Sequence, residues 1–297
     1  MPRRRVPTVN EVPLIPTLAV VGVGLIGGSF AAALRQTGQV GRVLGVGRDA
    51  ASLQRARELR LIDEACSLPE AAARADLVML ATPVGAMPGL LTDLVPHLAP
   101  HAVLTDGGST KQDVVQAARQ ALGATAARFV PGHPIAGSEQ SGPDAARPDL
   151  YLRRQVILTP LPENPPDVVA RVRQAWQACG AHVEEMAADQ HDRLMASVSH
   201  LPHLVAFAYL AQMAAAPDLE SRLKAAGSGF RDFSRIAAAS PEMWRDILLA
   251  NRSAVRHELH EVQAMLARFD HLLEVGDGAA LEHWIATAAN VRRHWQA

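Results

Sequence analysis

The chain has 297 residues, of which 48% are apolar, and 29 basic against 30 acidic side chains leave a formal net charge of −1. This length is enough for two domains with substantial cores, and the near balance of charge argues against nucleic acid as a partner. Two cysteines, Cys66 and Cys179, form neither a disulfide framework nor a zinc site, and they indicate buried thiols in a reducing cytoplasm.

The N-terminal residues and the apolar runs carry little sign of targeting. Residues 1–16 are basic at first and then broken by prolines, so we predict a disordered leader and no signal peptide. No apolar run reaches the length of a membrane span, so no membrane partner is expected. No internal repeat is visible in the sequence.

A glycine-rich turn opens the first predicted unit of structure. The apolar run 18–21 is typical of a short buried strand, and glycines follow it with the spacing G-x-G-x-x-G before a helical stretch over 29–37. Strand, glycine turn and helix in this order form the dinucleotide fingerprint, in which the glycines allow a tight turn, close approach of a pyrophosphate and helix packing. The predicted cofactor-binding residues of this turn are Gly22, Gly24, Leu25, Ile26 and Gly27.

Strands and helices alternate through the first half of the chain. Strands are predicted at 43–46, 76–81, 102–105, 128–130 and 155–159, and helices at 51–59, 87–98 and 111–122. Such alternation predicts a parallel sheet with helices on both faces, and ligands then lie beyond the carboxyl ends of the strands. Thr82 with Pro83, Ser109 and His133 each follow a predicted strand, so we expect them at one edge of the sheet, with Thr82 and Pro83 beside the cofactor.

The second half of the chain is predicted to be helical. A proline-rich stretch at 161–166 marks a domain boundary, and one more strand is predicted at 182–186. Helices are predicted over 188–215, with a kink near Pro202, and over 219–224, 241–273 and 279–297, with Ser240–Pro241 starting the third.

The predicted fold class is therefore α/β, with a Rossmann-type dinucleotide-binding domain over 17–165 and an all-α domain over 166–297. The long apolar helices favour a homodimer joined through the second domain. A monomeric helical lobe with its own core is the alternative.

Polar side chains collect in a few short segments. Asp106–Lys111 reads DGGSTK, residues 132–139 read GHPIAGSE around a histidine in a rigid loop, and 227–235 is a glycine loop followed by paired charges. His200 and His203 share a helix face, but no carboxylate lies at ligand spacing beside them, so no metal site is predicted. None of these segments indicates a function alone.

Together these segments resemble the prephenate dehydrogenase family, which includes arogenate dehydrogenases. The resemblance extends over most of residues 17–250, and its pieces occur in family order. The matching pieces are VGVGLIGGS (21–29), DGGSTK (106–111), GHPIAGSEQSG (132–142), QVILTP (155–160), HDRLMASVSHLPH (191–203) and GFRDFSRIAAASPEMWRDI (229–247). The resemblance implies oxidative decarboxylation of prephenate to 4-hydroxyphenylpyruvate in tyrosine biosynthesis, with hydride transfer to NAD or NADP and no metal.

The resemblance also implies roles for individual residues. His133 matches the histidine that accepts the proton of the substrate hydroxyl, which suits a neutral imidazole. Ser109 matches a serine that hydrogen-bonds the same hydroxyl, and Arg235 matches an arginine that holds a substrate carboxylate. The other implied substrate-binding residues are Arg231, Asp232, Trp244, His200, His203, Ser138 and Glu139.

Cofactor choice is predicted from the end of the second strand. An acidic residue there would bind the adenosine ribose hydroxyls, but the sequence has Gly47, followed by Arg48 and Asp49. Without a carboxylate to repel it, a 2′-phosphate would be accepted and would pair with Arg48, which favours NADP or dual use. In the alternative, Arg48 stacks on adenine or Asp49 serves the ribose of NAD.

Three other functions share features with this sequence. An arogenate dehydrogenase would carry the same motifs, and no residue separates it from the first interpretation. A β-hydroxyacid dehydrogenase would need a lysine on the helix over 188–215, which contains none. A catalytically silent NAD(P)-sensing module would be expected to lose the polar site, yet His133, Ser109 and Arg235 are all present.

Overall fold

The computed structural model describes residues 13–138 and 140–295. The chain divides into two compact units, Met1–Asn251 and Arg252–Ala297. The leader predicted over residues 1–16 lies mostly outside the described residues, and Ile15 and Pro16 already belong to the first strand. The boundary at 161–166 stays a prediction.

The main sheet of the first unit is parallel. Its strands are β1 (Ile15–Val21), β2 (Val40–Val46), β3 (Glu64–Ala65), β4 (Leu77–Leu80), β5 (Val103–Asp106) and β6 (Phe129–Val130). They lie in the order β3-β2-β1-β4-β5-β6. The direction of winding reverses between β1 and β4, which is where doubly wound sheets bind ligands at the carboxyl ends of the strands. This order confirms the predicted Rossmann-type fold.

Helices cover both faces of this sheet and make two apolar cores. They are α1 (Leu25–Gln36), α2 (Ala50–Glu58), α3 (Leu68–Arg74), α4 (Met87–Leu94), α5 (Gln112–Leu122) and α6 (Pro166–Ala178). On one face α1 packs against α6, with the rings of Phe30 and Trp176 4.5 Å apart between centroids. On the other face α3, α4 and α5 bury the opposite side of the strands.

A second sheet corrects the prediction of one continuous parallel sheet. It contains β7 (Gly132–Pro134), β8 (Gln155–Leu158) and β9 (His182–Glu185), with β7 antiparallel to β8. Apolar periodicity reports burial and not strand direction, so the sequence did not separate the two sheets. His133 pairs with Ile157 in this sheet, so it lies in a short strand and not in the loop that was predicted.

The helices that complete the first unit begin with an interrupted one. α7 (Ala188–Met195) runs into a single π turn, Ala196–His200, and continues as α8 (Leu201–Ala214). The break lies at the predicted kink, because Pro202 lacks the N–H that would close a regular turn.

Three shorter helices follow. They are α9 (Leu219–Lys224), α10 (Ser228–Ser234) and α11 (Pro241–Ala250). The predicted glycine loop at 227–235 is therefore largely helical, which is a correction. Ser240 caps α11 as predicted, since its hydroxyl accepts a hydrogen bond from the backbone N–H of Met243.

The predicted helix 241–273 is in fact two helices. α11 ends before Asn251, the last residue of the first unit. The side-chain amide of Asn251 donates a hydrogen bond to the backbone oxygen of Asp192 at 2.7 Å. The second unit consists of α12 (Arg252–Val275) and α13 (Gly278–His294). Within it the guanidinium of Arg268 lies 4.6 Å from the ring centroid of Trp284.

One helical stretch, Ala188–Ala214, is long and apolar enough by length and composition to cross a membrane. This corrects the statement that no apolar run reaches that length. Core helices of soluble proteins also have this length and composition. The same stretch begins with Asp189, His191 and Asp192, and the last two are buried among polar partners.

Candidate active site

The glycine turn after β1 forms a close-packed cradle at the winding reversal. Gly22 has φ +94°, and a Cβ there would lie 2.5 Å from the backbone oxygen of Ala81. A Cβ on Gly27 would lie 2.4 Å from the oxygen of Gly22, whereas one on Gly24 would meet nothing closer than 3.9 Å. Helix α1 starts at Gly24 without a side-chain cap, so its N–H groups are available to an anion. This geometry fits the pyrophosphate of a dinucleotide.

The other residues predicted to bind the cofactor follow β2 and β4, the strands on either side of β1. Thr82 follows β4, and its hydroxyl oxygen is buried without a partner among the described residues. Asp49 caps α2 by accepting from the N–H groups of Ala51 and Ser52. The Ser52 hydroxyl and these N–H groups lower the pKa of the Asp49 carboxyl. Arg48 is exposed beside it.

Gly107 lies between the glycine turn and the strand β7 that carries His133. A Cβ on Gly107 would lie 2.9 Å from the Ile26 side chain and 3.7 Å from the ring of Pro134. Tyr151 also fixes the turn, because its hydroxyl donates to the backbone oxygen of Ile26 at 2.6 Å. The cofactor turn and the strand that carries His133 therefore approach each other across one glycine.

A buried ion pair holds that strand in place. Asp106, at the end of β5, and Lys111 are both fully buried and form an ion pair. Asp106 accepts the N–H of Gly132 at 2.9 Å, and the Lys111 ammonium donates to the oxygen of Gly132 at 2.8 Å. The backbone immediately before His133 is therefore fixed by a charged pair with its hydrogen bonds satisfied.

His133 is the first member of a chain of three polar side chains. Its Nδ1 lies 2.8 Å from Nε2 of His191, and Nδ1 of His191 lies 2.8 Å from Oδ1 of Asp192. Asp192 also accepts the backbone N–H groups of Lys111 and Gln112, at 2.8 and 2.9 Å, at the start of α5. His191 and Asp192 are buried, and His133 is partly buried.

Burial controls the ionisation of this chain. Desolvation lowers the pKa of His133 well below its usual value, and a positive charge on Lys111, or on His191 or His200 when protonated, acts in the same direction. Burial opposes ionisation of Asp192, but its hydrogen bonds from His191 and from two backbone N–H groups outweigh burial and lower its pKa. His133 is therefore neutral and Asp192 is ionised near neutral pH.

An aromatic group lies next to these hydrogen-bonded side chains, and it consists of His200, His203 and Trp244. The His203 and Trp244 rings stack with centroids 3.8 Å apart, and Nδ1 of His203 donates to the backbone oxygen of Ser199. His200 is buried, and its Nδ1 accepts from Asn251 at 3.1 Å. Burial lowers the pKa of His200 to about 4. The indole N–H of Trp244 is buried without a partner among the described residues.

The remaining predicted residues are less buried. Ser109 is partly buried between Asp106 and Lys111, and the described residues contain no hydrogen bond between it and His133. Ser138 is exposed, and its hydroxyl accepts from the N–H of Gln140. Arg231 and Asp232 on α10 and Arg235 in the turn after it are all exposed. Glu139 lies outside the described residues.

Sequence reasoning assigned no role to the residues that support His133. These are Asp106, Lys111, His191, Asp192 and Asn251. The motifs DGGSTK and HDRLM contain most of them, but polar residues at such positions usually face solvent. The structure shows that these polar side chains are buried, which their sequence positions did not indicate.

A dinucleotide cradle, a neutral histidine in a fixed strand and unpartnered polar atoms at one sheet edge define a dinucleotide-dependent oxidoreductase. Comparisons with known proteins agree. The family described as "Prephenate dehydrogenase, nucleotide-binding domain" matches residues 30–185, and "Prephenate dehydrogenase, dimerization domain" matches residues 187–287. The chain belongs to the prephenate dehydrogenase family.

Individual relatives show how far the similarity extends. Prephenate dehydrogenase of Bacillus subtilis (strain 168) is 35% identical over 93% of this chain and 75% of the relative. The crystal structure of prephenate dehydrogenase from A. aeolicus with hydroxyphenyl propionate and NAD+ has a TM-score of 0.88 at 34% identity, covering 96% of this chain and 99% of that one. Synechocystis arogenate dehydrogenase has a TM-score of 0.78 at 30% identity, covering 93% and 99%.

Proposed function

We propose that this protein oxidises prephenate to 4-hydroxyphenylpyruvate and CO2, with His133 as the proton acceptor. The observation that carries the proposal is the position of His133. Its Nδ1 is held by His191, and the described residues leave its Nε2 without a hydrogen bond, at the edge where the glycine turn approaches. A neutral imidazole with a free nitrogen beside a nicotinamide site is suited to take a hydroxyl proton.

The reaction balances with these residues. The turn of Gly22, Gly24 and Gly27 would hold an oxidised nicotinamide dinucleotide, which would supply the acceptor for the hydride that leaves C4 of the substrate. His133 Nε2 accepts the hydroxyl proton as the C–O bond at C4 becomes a carbonyl. Cleavage of the bond to the ring carboxylate then releases CO2, and its electron pair makes the ring aromatic. His133 returns its proton to the phenolate oxygen, so the overall reaction releases no net proton.

Substrate binding is assigned to the other predicted residues. Ser109 hydrogen-bonds the reacting hydroxyl, and Arg235 binds a substrate carboxylate with its planar guanidinium. Trp244, stacked on His203, provides a rigid wall with an unpartnered N–H. We assign Arg231 and Asp232 to the entrance and His200 and Ser138 to the surroundings of the substrate, and the substrate-binding role predicted for Glu139 stays a prediction.

The test is reduced-nicotinamide formation from prephenate with the purified protein, followed for wild type and His133→Asn. Asparagine keeps a hydrogen-bonding group but does not accept a proton, so kcat should fall roughly 10²–10⁴-fold. Cofactor affinity and melting temperature should stay near wild type. His182→Gln, in the exposed strand β9, is the matched control and should keep wild-type kcat. A His133→Asn enzyme with near-normal kcat would remove His133 from the mechanism.

Arogenate is the second candidate substrate. The similarity to an arogenate dehydrogenase from Synechocystis favours testing it directly. Arogenate carries an amino acid side chain where prephenate carries a keto acid, so kcat/KM for the two substrates, measured side by side, decides between them. A higher kcat/KM with arogenate would replace prephenate in the proposal.

For the cofactor, we propose NADP or dual use of NADP and NAD. Gly47 offers no carboxylate to a ribose, and the Asp49 carboxylate is engaged as the cap of α2. Arg48 is then the exposed cation that would meet a 2′-phosphate. Arg48→Ala should lower kcat/KM with NADP and leave that with NAD nearly unchanged. A much higher kcat/KM with NAD, insensitive to Arg48→Ala, would contradict this.

We further propose a homodimer in the cytoplasm. The match of residues 187–287 to a dimerization domain supports it, as do exposed apolar side chains on the helices of both units: Leu194, Val198, Tyr209, Leu266, Leu273, Ile285 and Val291. The free thiols Cys66 and Cys179 suit a reducing compartment. Sedimentation at micromolar concentration should give a dimer, and a monomer would contradict the proposal.

A further inference from the structure

The hydrogen bonds that connect His133, His191 and Asp192 have a fixed donor-to-acceptor direction. An ionised carboxylate only accepts hydrogen bonds, so Nδ1 of His191 must donate to Asp192. A neutral His191 then has its lone pair on Nε2, which faces Nδ1 of His133 at 2.8 Å. The proton between the two rings therefore belongs to His133, and its Nε2 is the atom that keeps a lone pair.

The opposite arrangement would disable the base. A doubly protonated His191 would donate to Nδ1 of His133 and place the remaining His133 hydrogen on Nε2. That nitrogen would then have no lone pair for a substrate proton. As long as His191 carries one ring proton, its hydrogen bond to the Asp192 carboxylate, which also accepts two backbone N–H groups, fixes the competent tautomer of His133 two hydrogen bonds away.

We infer that His191 and Asp192 are positioning residues that set the tautomer of His133 and stabilise its protonated form during turnover. The inference rests on the proposed role of His133. When His133 takes a proton on Nε2, its Nδ1–H continues to donate to His191, which continues to donate to the Asp192 carboxylate. The positive charge formed on His133 is thereby coupled to a buried negative charge, without any further proton leaving the chain.

Several other charged or titratable groups face His133. Lys111 approaches from the start of α5 but is neutralised by Asp106, and His200 approaches from the π turn and is neutral near pH 7 because its pKa is about 4. Arg235 acts on His203 and not on His133. Asp192 is the negative group that hydrogen bonds connect to His133, through His191. The other nearby carboxylate, Asp106, is already paired with Lys111.

Asp192 also has a structural task, which the test must separate from the positioning role. It joins α7 to the start of α5 by capping two N–H groups, so its replacement would disturb both. His191 is the better target, because its ring contacts His133 and the Asp192 carboxylate without capping α5. His191→Gln keeps an acceptor for His133 and a donor for Asp192, whereas His191→Leu removes both.

The experiment compares kcat, KM and pH profiles of wild type, His191→Gln and His191→Leu. We expect kcat to fall at least tenfold in His191→Leu, which removes both hydrogen bonds, and less in His191→Gln, which keeps an acceptor and a donor, with little change in KM. The acid limb of kcat/KM should move to lower pH in His191→Leu, since protonated His133 loses its stabilisation. Arg193→Gln on α7 is the control: it removes an exposed ion pair with Asp189 on the same helix, so it should leave kcat and the acid limb in place.

Two results would overturn the inference: kcat of His191→Leu within threefold of wild type, or an acid limb of His191→Leu that stays fixed or moves to higher pH. If His191→Leu does not fold, the tautomer of wild-type His133 decides. A nitrogen-15 NMR spectrum of the histidine rings gives a readout that does not need turnover. Wild-type His133 should be neutral with its proton on Nδ1, and the other tautomer would contradict the inference even if the proposed substrate proved wrong.

Discussion

The strand around His133 and the segment around Arg235 contrast in how they are held. His133 follows a backbone position fixed by Asp106 and Lys111, both fully buried. Arg235 is exposed in a short turn after α10, which contacts α8 through the rings of Phe230 and Phe233 against Tyr209. Proton transfer needs fixed geometry, because a small displacement of the base costs much of its rate. A flexible arginine side chain such as that of Arg235 can bind a substrate carboxylate from several positions, and its exposure lets it reach a substrate that arrives from solvent.

This contrast predicts that substitutions in the first region damage stability or kcat, and those in the second damage KM. The largest effect is expected from Lys111→Met. Removing one partner of a buried pair leaves the Asp106 charge uncompensated, which costs about 3–5 kcal/mol. The free energy of unfolding in urea measures it. Arg119→Met is the control on the same helix: its ion pair with Glu163 is exposed and should contribute about 0–1 kcal/mol. Equal losses in the two variants would contradict the contrast.

Acid should lower the free energy of unfolding through the buried histidines around the first region. Folding lowers the pKa of His200 from about 6.5 to about 4. The unfolded chain therefore binds more protons in this window, and stability falls as the pH drops from 6.5 towards 4, by up to about 3 kcal/mol. His133 and His203 act in the same direction. Urea unfolding at several pH values should show this slope, and His200→Gln should reduce it. A flat profile between pH 7 and 4.5 would show that His200 is not buried in its neutral form.

Arg235→Gln should act on binding. A charge-assisted hydrogen bond to a carboxylate contributes about 1.5–3 kcal/mol, so KM should rise roughly 10–100-fold while kcat stays within a few fold. Steady-state kinetics with saturating cofactor measure both constants. Arg222→Gln on α9, which removes the exposed ion pair with Asp218, is the matched control and should leave KM unchanged. A loss confined to kcat would mean that Arg235 acts on the transition state and belongs with the first region.

The smallest effect is expected at Ser240, which caps the helix that carries Trp244. Ser240→Ala removes the acceptor for the N–H of Met243 and should cost about 1 kcal/mol of stability. Ser240→Thr keeps a hydroxyl and should cost less. Thermal unfolding of the two variants measures the difference, and equal stability of the alanine variant and wild type would show that the cap contributes nothing.

Much of the site was predictable because local chemistry identifies it. The spacing of Gly22, Gly24 and Gly27 after an apolar strand predicted the cradle, since only glycine tolerates the contacts that the turn makes at Gly22 and Gly27. Pro202 predicted the interruption after α7, and Ser240 predicted the start of α11. Each of these depends on a few consecutive residues and on a backbone constraint that the residue type itself imposes.

Other features depend on residues far apart in the chain. His133 and His191 are 58 positions apart, and Lys111 and Asp192 are 81 apart, so no local pattern relates them. The apolar pattern of β8 was recognised, but its antiparallel pairing with β7 was not, because alternation is the same for either direction.

The glycine turn, the helix starts and the histidine between Gly132 and Pro134 follow from the residues in order, because backbone conformation is a local property. Which polar side chains leave solvent, and which partner each then finds, depends on how the two sheets and α7 pack together. That packing puts Asp192 at the start of α5 and His191 against His133. The ionisation and tautomer of His133 are consequently properties of the folded chain, since desolvation and hydrogen bonding arise only when distant segments meet.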